Sequence, residues 1–240
     1  MNDVSFPILH VDELRCPITH FDWTFVRENS EAIDSHWNAL RAARPALFNG
    51  KVFLMHNFRI ETNASRCTMQ AEHFETDFKN FLAWRDFGFP DQRVKNSFAM
   101  AALQGADGGF ILGRMGEHTS NAGLVYFPAG TPDRDDICGD VLDFERSARR
   151  ELAEETGLGL DGCDSQFGWS VVLAGPRLAC MKAMRSEAPA LALQQQARAF
   201  LALQEEPELS DVLVASHSSH IDPAVMPDFM LAFLRARLTV

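Results

Sequence analysis

This 240-residue chain has no paired cysteine motif. Cys16, Cys67, Cys138, Cys163 and Cys180 are scattered without a C-x-x-C, which argues against structural zinc and for free thiols in a reducing compartment. Long apolar runs are missing too; none approaches the roughly 20 residues that cross a bilayer, so no membrane partner is expected. No basic stretch followed by an apolar core opens the sequence, so a secretory signal is not expected and a cytoplasmic location is. Positive charge is scarce: 22 Lys and Arg face 33 Asp and Glu, a net charge of −11. That balance disfavours a nucleic-acid polymer as partner, because phosphate neutralisation supplies most of such affinity. A small phosphorylated ligand is not disfavoured, since a bound cation reverses the local charge. What is present, 46% hydrophobic and 23% charged residues, is ordinary for a globular protein with one good core or one domain and an extension. Repeats and low-complexity segments are absent.

The organising stretch is 148–158, A-R-R-E-L-A-E-E-T-G-L. Read as a helix, it sets Glu151, Glu154 and Glu155 at i, i+3 and i+4, on one face. Ala148, Leu152 and Ala153 supply the buried side. Gly157 falls where a left-handed C-terminal cap is expected, and Leu158 packs back beyond it. Like charges at this spacing repel by roughly 0.3 kcal/mol per exposed pair, and by more when buried. A divalent cation removes that cost. Hard carboxylate oxygens, with room left for water and phosphate, suit Mg²⁺ or Mn²⁺.

The string Arg150-Glu151-Leu152-Ala153-Glu154-Glu155-Thr156-Gly157-Leu158 resembles the core of the Nudix box, G-x5-E-x7-R-E-U-x-E-E-x-G-U with U apolar. Arg150, Glu151, Leu152, Glu154, Glu155, Gly157 and Leu158 stand at its fixed positions. The front of the box departs. Leu142 stands eight residues before Arg150, where the pattern has Glu, and the nearest acids are Asp143 and Glu145. Gly130, in Phe127-Pro128-Ala129-Gly130, matches the pattern's glycine, but nineteen residues rather than thirteen separate it from Arg150. An insertion of six residues is therefore expected within 131–139. Its Pro132, Asp133, Asp135 and Asp136 read as a polar, turn-rich loop able to close over a bulky group. Asp143 is the expected N-cap of the helix, with Glu145 in its first turn.

Along the chain, residues 1–29 carry the alternation Trp23, Phe25, Val26, expected as a short strand. Ser30 is the expected cap of a helix over 31–43, with Ile33, Trp37 and Leu40 inward. Segment 51–62 reads as a strand, 63–65 as a hairpin tip, Cys67, Met69 and Ala71 as the returning strand, and 74–87 as a helix. Residues 1–95 are taken as an N-terminal α+β portion whose aromatics need the rest of the chain to cover them. From Ser97 the pattern becomes strand, tight turn and strand (98–103, 110–112), then a short strand at 124–127 and the acidic helix at 141–156. A strand pair (167–174, 178–184), a helix (190–204), a strand (212–215) and a last helix (228–238) follow. Residues 96–240 form the second unit.

The resemblance implies an α/β/α sandwich with the N-terminal α+β portion as an extension. It implies hydrolysis of a nucleoside diphosphate linked to a group X, a small-molecule nucleotide substrate. Under it, Glu154 and Glu155 are the principal metal ligands, and Glu151 is a further ligand or the base. Arg150 holds a carboxylate in place, and Gly130, Phe127 and Arg114 lie at the substrate. Metal there neutralises phosphates and makes water more acidic. Because the base varies within the family, Glu205, Glu206 and above all Glu208, ahead of the strand 212–215, are candidates. The string Arg44-Pro45-Ala46-Leu47-Phe48-Asn49-Gly50 is similar to the N-terminal part of UDP-sugar pyrophosphatase-like Nudix proteins, which points to a nucleoside diphosphate sugar such as UDP-glucose. ADP-ribose, a nucleoside triphosphate, a coenzyme A type substrate around Arg114 and His118, and a non-catalytic nucleotide-binding fold stay open. Trp23, Phe48 and Trp84 are candidates to stack on a base. The oligomeric state is open, a homodimer among the options.

Overall fold

The computed structural model describes residues 6–45, 47–63, 65–159 and 163–238. Its first part runs β1 (Ile8–Val11), β2 (Glu13–Pro17), α1 (Thr24–Glu28), α2 (Ser30–Ala43), β3 (Lys51–Asn63), β4 (Arg66–Asp77) and α3 (Phe78–Asp86). Then come β5 (Asn96–Gln104), β6 (Phe110–Met115), β7 (Val125–Tyr126), β8 (Ala129–Gly130), a 3-10 turn (Arg134–Asp136), β9 (Ile137–Cys138), β10 (Val141–Leu142) and α4 (Phe144–Thr156). The chain closes with β11 (Cys163–Ser165), β12 (Trp169–Ala174), β13 (Arg177–Ser186), α5 (Ala190–Leu201), β14 (Leu209–Ala215) and α6 (Asp228–Arg237).

The larger sheet has the order β1-β12-β13-β5-β6-β14, with β11 beside β13, β7 beside β6 and β8 beside β5. At its centre β13 and β5 run parallel, from Arg177 opposite Asn96 to Arg185 opposite Gln104. Both are almost continuously apolar because helices cover both faces, which is what a central parallel pair requires. Phe110 packs edge-on to Phe233 of α6, while its neighbour Gly109 lies against Ala190 of α5. Successive residues of a strand face opposite ways, so α5 and α6 lie on opposite faces. The expected α/β/α sandwich is present.

The smaller sheet has the order β3-β4-β2-β10-β9. Residues 1–95 enter both sheets, since β1 pairs with β12 and β2 with β10. Their aromatics build a core largely of their own. Trp23, Phe25, Trp37, Phe74, Phe81 and Trp84 form a cluster whose buried residues lie between Trp23 and Val94, with Phe21 packed against it. Of the remaining aromatics in this portion, Phe53 joins the main core and Phe6 and Phe58 pack against it, alongside Val11, Cys16, Met55, Met69 and Ala71.

Three local expectations are corrected. The stretch around Phe25 is the short helix α1, closed by the Asn29 amide donating to the Phe25 carbonyl at 3.1 Å, four residues back. Phe74 belongs to β4, where it pairs with Leu54, and the helix starts only at Phe78; cross-strand pairing overrides the helical spacing of the phenylalanines. Asn29, not Ser30, is the N-cap of α2, and its side chain makes no capping bond. The hairpin tip expected at 63–65 includes Ala64, which lies outside the described residues. Cys16, Cys67, Cys138 and Cys180 are free thiols.

Candidate active site

Helix α4 begins and ends as its sequence dictates. Asp143 accepts a hydrogen bond from the Arg146 amide at 2.9 Å, and Gly157 takes the left-handed conformation at φ 65°. Glycine is doubly required at 157, because a Cβ there would stand 2.3 Å from the Phe200 ring. Ala148 and Leu152 are fully buried, and α4 packs on β5. This fixes the direction in which the glutamates project.

Glu155 is only 4% exposed. The Ala129 amide donates to its Oε1 at 3.3 Å, and its Oε2 is buried with no hydrogen-bond partner among the described residues. Burial pushes its carboxyl well above the ordinary range, and Glu208 and Glu151 push it further. Glu151 lies against Gly130, where a Cβ would fall 2.1 Å from its Oε1; only glycine lets β8 come this close. Burial raises the Glu151 carboxyl to about 7 against the pull of Arg150, with Glu154, Glu208 and Asp136 adding to the rise. Glu154 points elsewhere. Its side chain is 60% exposed and accepts from Arg150 at 3.0 Å.

Arg150 is the hub. It reaches Glu151 and Glu154 at 3.0 Å each and sets two nitrogens on Asp136 at 3.1 to 3.3 Å. Burial opposes its charge, but Glu151 and Asp136 outweigh it and keep the guanidinium firmly protonated. Asp136 is 0% exposed and also accepts from Ser147 Oγ and from the Asp133 amide, both at 3.1 Å. Every one of these bonds is accepted, as an ionised carboxylate requires.

Asp136 was missed when the box was counted back from Arg150. Counted forward from Gly130, with five residues between them, it stands at the acid position of the pattern. The six extra residues therefore lie after it, and they are the hairpin of β9 and β10, which joins the smaller sheet beside β2. The reading of 131–139 as a loop closing over substrate is corrected accordingly. Phe53 donates its amide to the Pro132 carbonyl at 2.8 Å and Arg134 pairs with Glu75, so the loop is tied to the N-terminal portion. Asp133 caps the 3-10 turn.

Beside the carboxylates opens a cavity of about 770 Å³, walled by residues of both parts of the chain. Ala129, Gly130, Thr131, Glu206 and Glu208 line one region of it. Glu208 opens onto this space, yet its walls desolvate it enough to raise its carboxyl, with His118 pulling the other way. Tyr126, also in the wall, accepts from Asn121 at 3.0 Å, and burial holds its hydroxyl protonated.

Of the residues anticipated from sequence, Arg150, Glu151, Glu155, Glu208 and Gly130 converge. Arg114 does not line the cavity. Phe127 is 0% exposed and packs on Phe110 and Phe233, so it is a core residue. Trp23 and Trp84 are buried too, and the rings that do line the cavity are Phe78, Phe81, Phe98, Phe229 and Tyr126.

Among the described residues no three His, Cys, Asp or Glu side chains are grouped so as to hold a metal ion by themselves. The donor set still fits Mg²⁺ or Mn²⁺, which take one or two protein carboxylates and complete their shell with water and substrate phosphate. The unpartnered Oε2 of Glu155 is the atom such an ion would satisfy.

No family model matches the chain, and no curated protein matches it. Solved structures do. A Nudix hydrolase from M. smegmatis, RenU, aligns at 15% identity over 60% of this chain and 84% of its own, with a TM-score of 0.40. The MutT protein of Methanosarcina mazei Go1 aligns at 16% identity over 59% and 91%, with a TM-score of 0.39. The NUDIX domain of Shewanella oneidensis NrtR, solved with ADP ribose, aligns at 15% identity over 50% and 71%, with a TM-score of 0.32. These likenesses are partial, and it is the residues of the site that carry the functional reading.

Proposed function

We propose that this protein is a Nudix-type pyrophosphohydrolase, a metal-dependent hydrolase of nucleoside diphosphates linked to a group X. One observation carries the reading. Glu151 and Glu155 are buried against Gly130 and Ala129, which line a ligand-sized cavity; burial and neighbouring carboxylates destabilise both, and Glu155 Oε2 has no hydrogen-bond partner among the described residues. A fold selected for stability alone has no use for that arrangement.

Glu151 and Glu155 are the residues that would hold Mg²⁺ or Mn²⁺, with Glu154 at the exposed rim. When bound, the ion neutralises the phosphates and makes water more acidic. Arg150, anchored by Asp136, keeps Glu151 turned toward Gly130; a guanidinium fork suits that task better than an ammonium. Glu208 lines the cavity, and we assign it the proton-accepting role. The amide of Ala129 fixes the Glu155 carboxylate. A nucleoside diphosphate sugar such as UDP-glucose is the first substrate to try. The test is release of a nucleoside monophosphate and X-phosphate from a nucleotide panel with Mg²⁺. In H₂¹⁸O the label should enter one of the two phosphate products, whereas inert substrates across the panel would refute the reading.

A further inference from the structure

The carboxylates occupy only one region of the cavity. Arg44, Arg85 and Arg177 line another, together with Asn96. Positive charge is scarce in this chain, so three arginines on one wall need an explanation. Arg85 has Asp86 at 2.8 Å. Arg44 and Arg177 have no ion pair among the described residues, and the Arg177 guanidinium rests over the Phe89 ring at 5.4 Å. Burial and the neighbouring charge of Arg85 act against Arg177, and Asp228, also in the lining, compensates them only in part. Asn96 adds a second unsatisfied group, because its Oδ1 is buried without a hydrogen-bond partner.

The register of the central strands separates the two regions. Gly130, against Glu151, pairs with Ala99 of β5, whereas Arg177 pairs with Asn96 on the same strand. Three residues of strand span roughly 10 Å. The backbone positions that carry Arg177 and Gly130 are thus further apart than a single P–O–P bridge spans. Phe78, Phe81 and Phe98 wall the cavity as well.

We propose that Arg44, Arg85 and Arg177 form a second, anion-binding subsite, and that the substrate carries a further oxyanion, a phosphoryl or carboxylate group, remote from the anhydride that is cleaved. Arg44 on the end of α2 and Arg85 on α3 make the N-terminal portion the part that selects this group, with Asn96 accepting a hydrogen bond from an adjacent hydroxyl or amine. Arginine forks recognise both oxyanions in two-pronged fashion, so the shared chemistry is what the site reads. The inference rests on the pyrophosphohydrolase reading for the position of the cleaved bond, but the subsite is testable without it.

The experiment is calorimetric titration of the full chain in EDTA with two ligand pairs: adenosine 3′,5′-bisphosphate against adenosine 5′-monophosphate, and UDP-glucuronate against UDP-glucose. The ligand with the extra oxyanion should bind at least about tenfold more tightly in one pair. Which pair discriminates identifies phosphoryl or carboxylate as the group. Arg177→Gln should abolish the preference, Arg177→Lys should restore it only partly, and Arg44→Gln, at an exposed position, should weaken it should the first variant not fold. Equal affinities within both pairs, no binding by any of the four, or a preference that survives in folded Arg177→Gln and Arg44→Gln would overturn the proposal. Mg²⁺-dependent turnover persisting in that case leaves the hydrolase reading intact. Inert carboxylate chemistry with intact discrimination in EDTA would do the reverse.

Discussion

Replacing Asp136 by Asn tests whether the acidic anchor of Arg150 is where the fold places it. The substitution keeps the shape and removes the charge. Asp136 is fully buried and accepts from Arg150, Ser147 and the Asp133 amide. Asn can accept at one end only, so at least one of these donors is left facing an amide NH₂. Breaking a buried pair by removing one partner costs about 3–5 kcal/mol, most of it from the charge left behind. Here Arg150 retains Glu151 and Glu154 at 3.0 Å and has Asp133 at 4.0 Å, which places the loss at the low end, about 3 kcal/mol. For a chain of this length that is roughly 6–12 °C in Tm. Urea denaturation followed by circular dichroism reads it directly. A double-mutant cycle of Asp136→Asn and Arg150→Gln should give a coupling of about 1–3 kcal/mol. A Cm within error of the parent, or a coupling near zero, would show that Asp136 does not anchor Arg150.

Three further outcomes follow from the same structure. Burial lowers the pKa of His73 from the ordinary 6.5 to about 4, so the unfolded chain takes up a proton that the folded one refuses. Stability is unaffected above about pH 6.5 and falls as pH drops toward 4, by roughly 3 kcal/mol in all, and His73→Gln should flatten that part of the urea-midpoint profile; identical profiles would refute it. Gly130→Ala puts a Cβ 2.1 Å from Glu151 Oε1, so the carboxylate must move by an ångström or more; kcat should fall by roughly a hundredfold with little change in Tm, and unchanged turnover would contradict the placement. A chain beginning at Ser97 loses β1 beside β12, β2 beside β10, and one wall of the cavity, so it should be insoluble or lose substrate selectivity; a soluble product with the parent's KM would argue otherwise.

The acidic helix was legible because its information is local. A cap at Asp143, a left-handed glycine at 157 and three glutamates at helical spacing fix one another within a few turns. The strands of the central sheet were legible for a similar reason, as short apolar runs bounded by turns. What the sequence concealed depends on distant pairing. Phe74 has helical spacing to Phe78, yet Leu54, twenty residues away, decides that it is a strand residue. The cavity was hidden because its walls come from α2, α3, β5, β13 and α6, which no single window spans. Asp136 is the instructive case. Counting back from Arg150 runs into the β9 and β10 hairpin, whereas counting forward from Gly130 reaches the acid before the hairpin intervenes. The signal was present and the direction of counting concealed it. Glu154 and Glu155 are indistinguishable in the string, and only burial separates an exposed partner of Arg150 from an orphaned oxygen in the site.

Steady-state turnover of a nucleoside diphosphate panel with Mg²⁺, for the parent and Glu155→Gln side by side, tests the central claim most directly. The parent should release nucleoside monophosphate only with divalent metal present, and EDTA should stop it. Glu155→Gln should lower kcat by roughly two to four orders of magnitude while leaving Tm unchanged or slightly raised, because a buried carboxylate repelled by Glu151 and Glu208 is gone. A Glu155→Gln protein that keeps near-normal, Mg²⁺-dependent turnover would contradict the account.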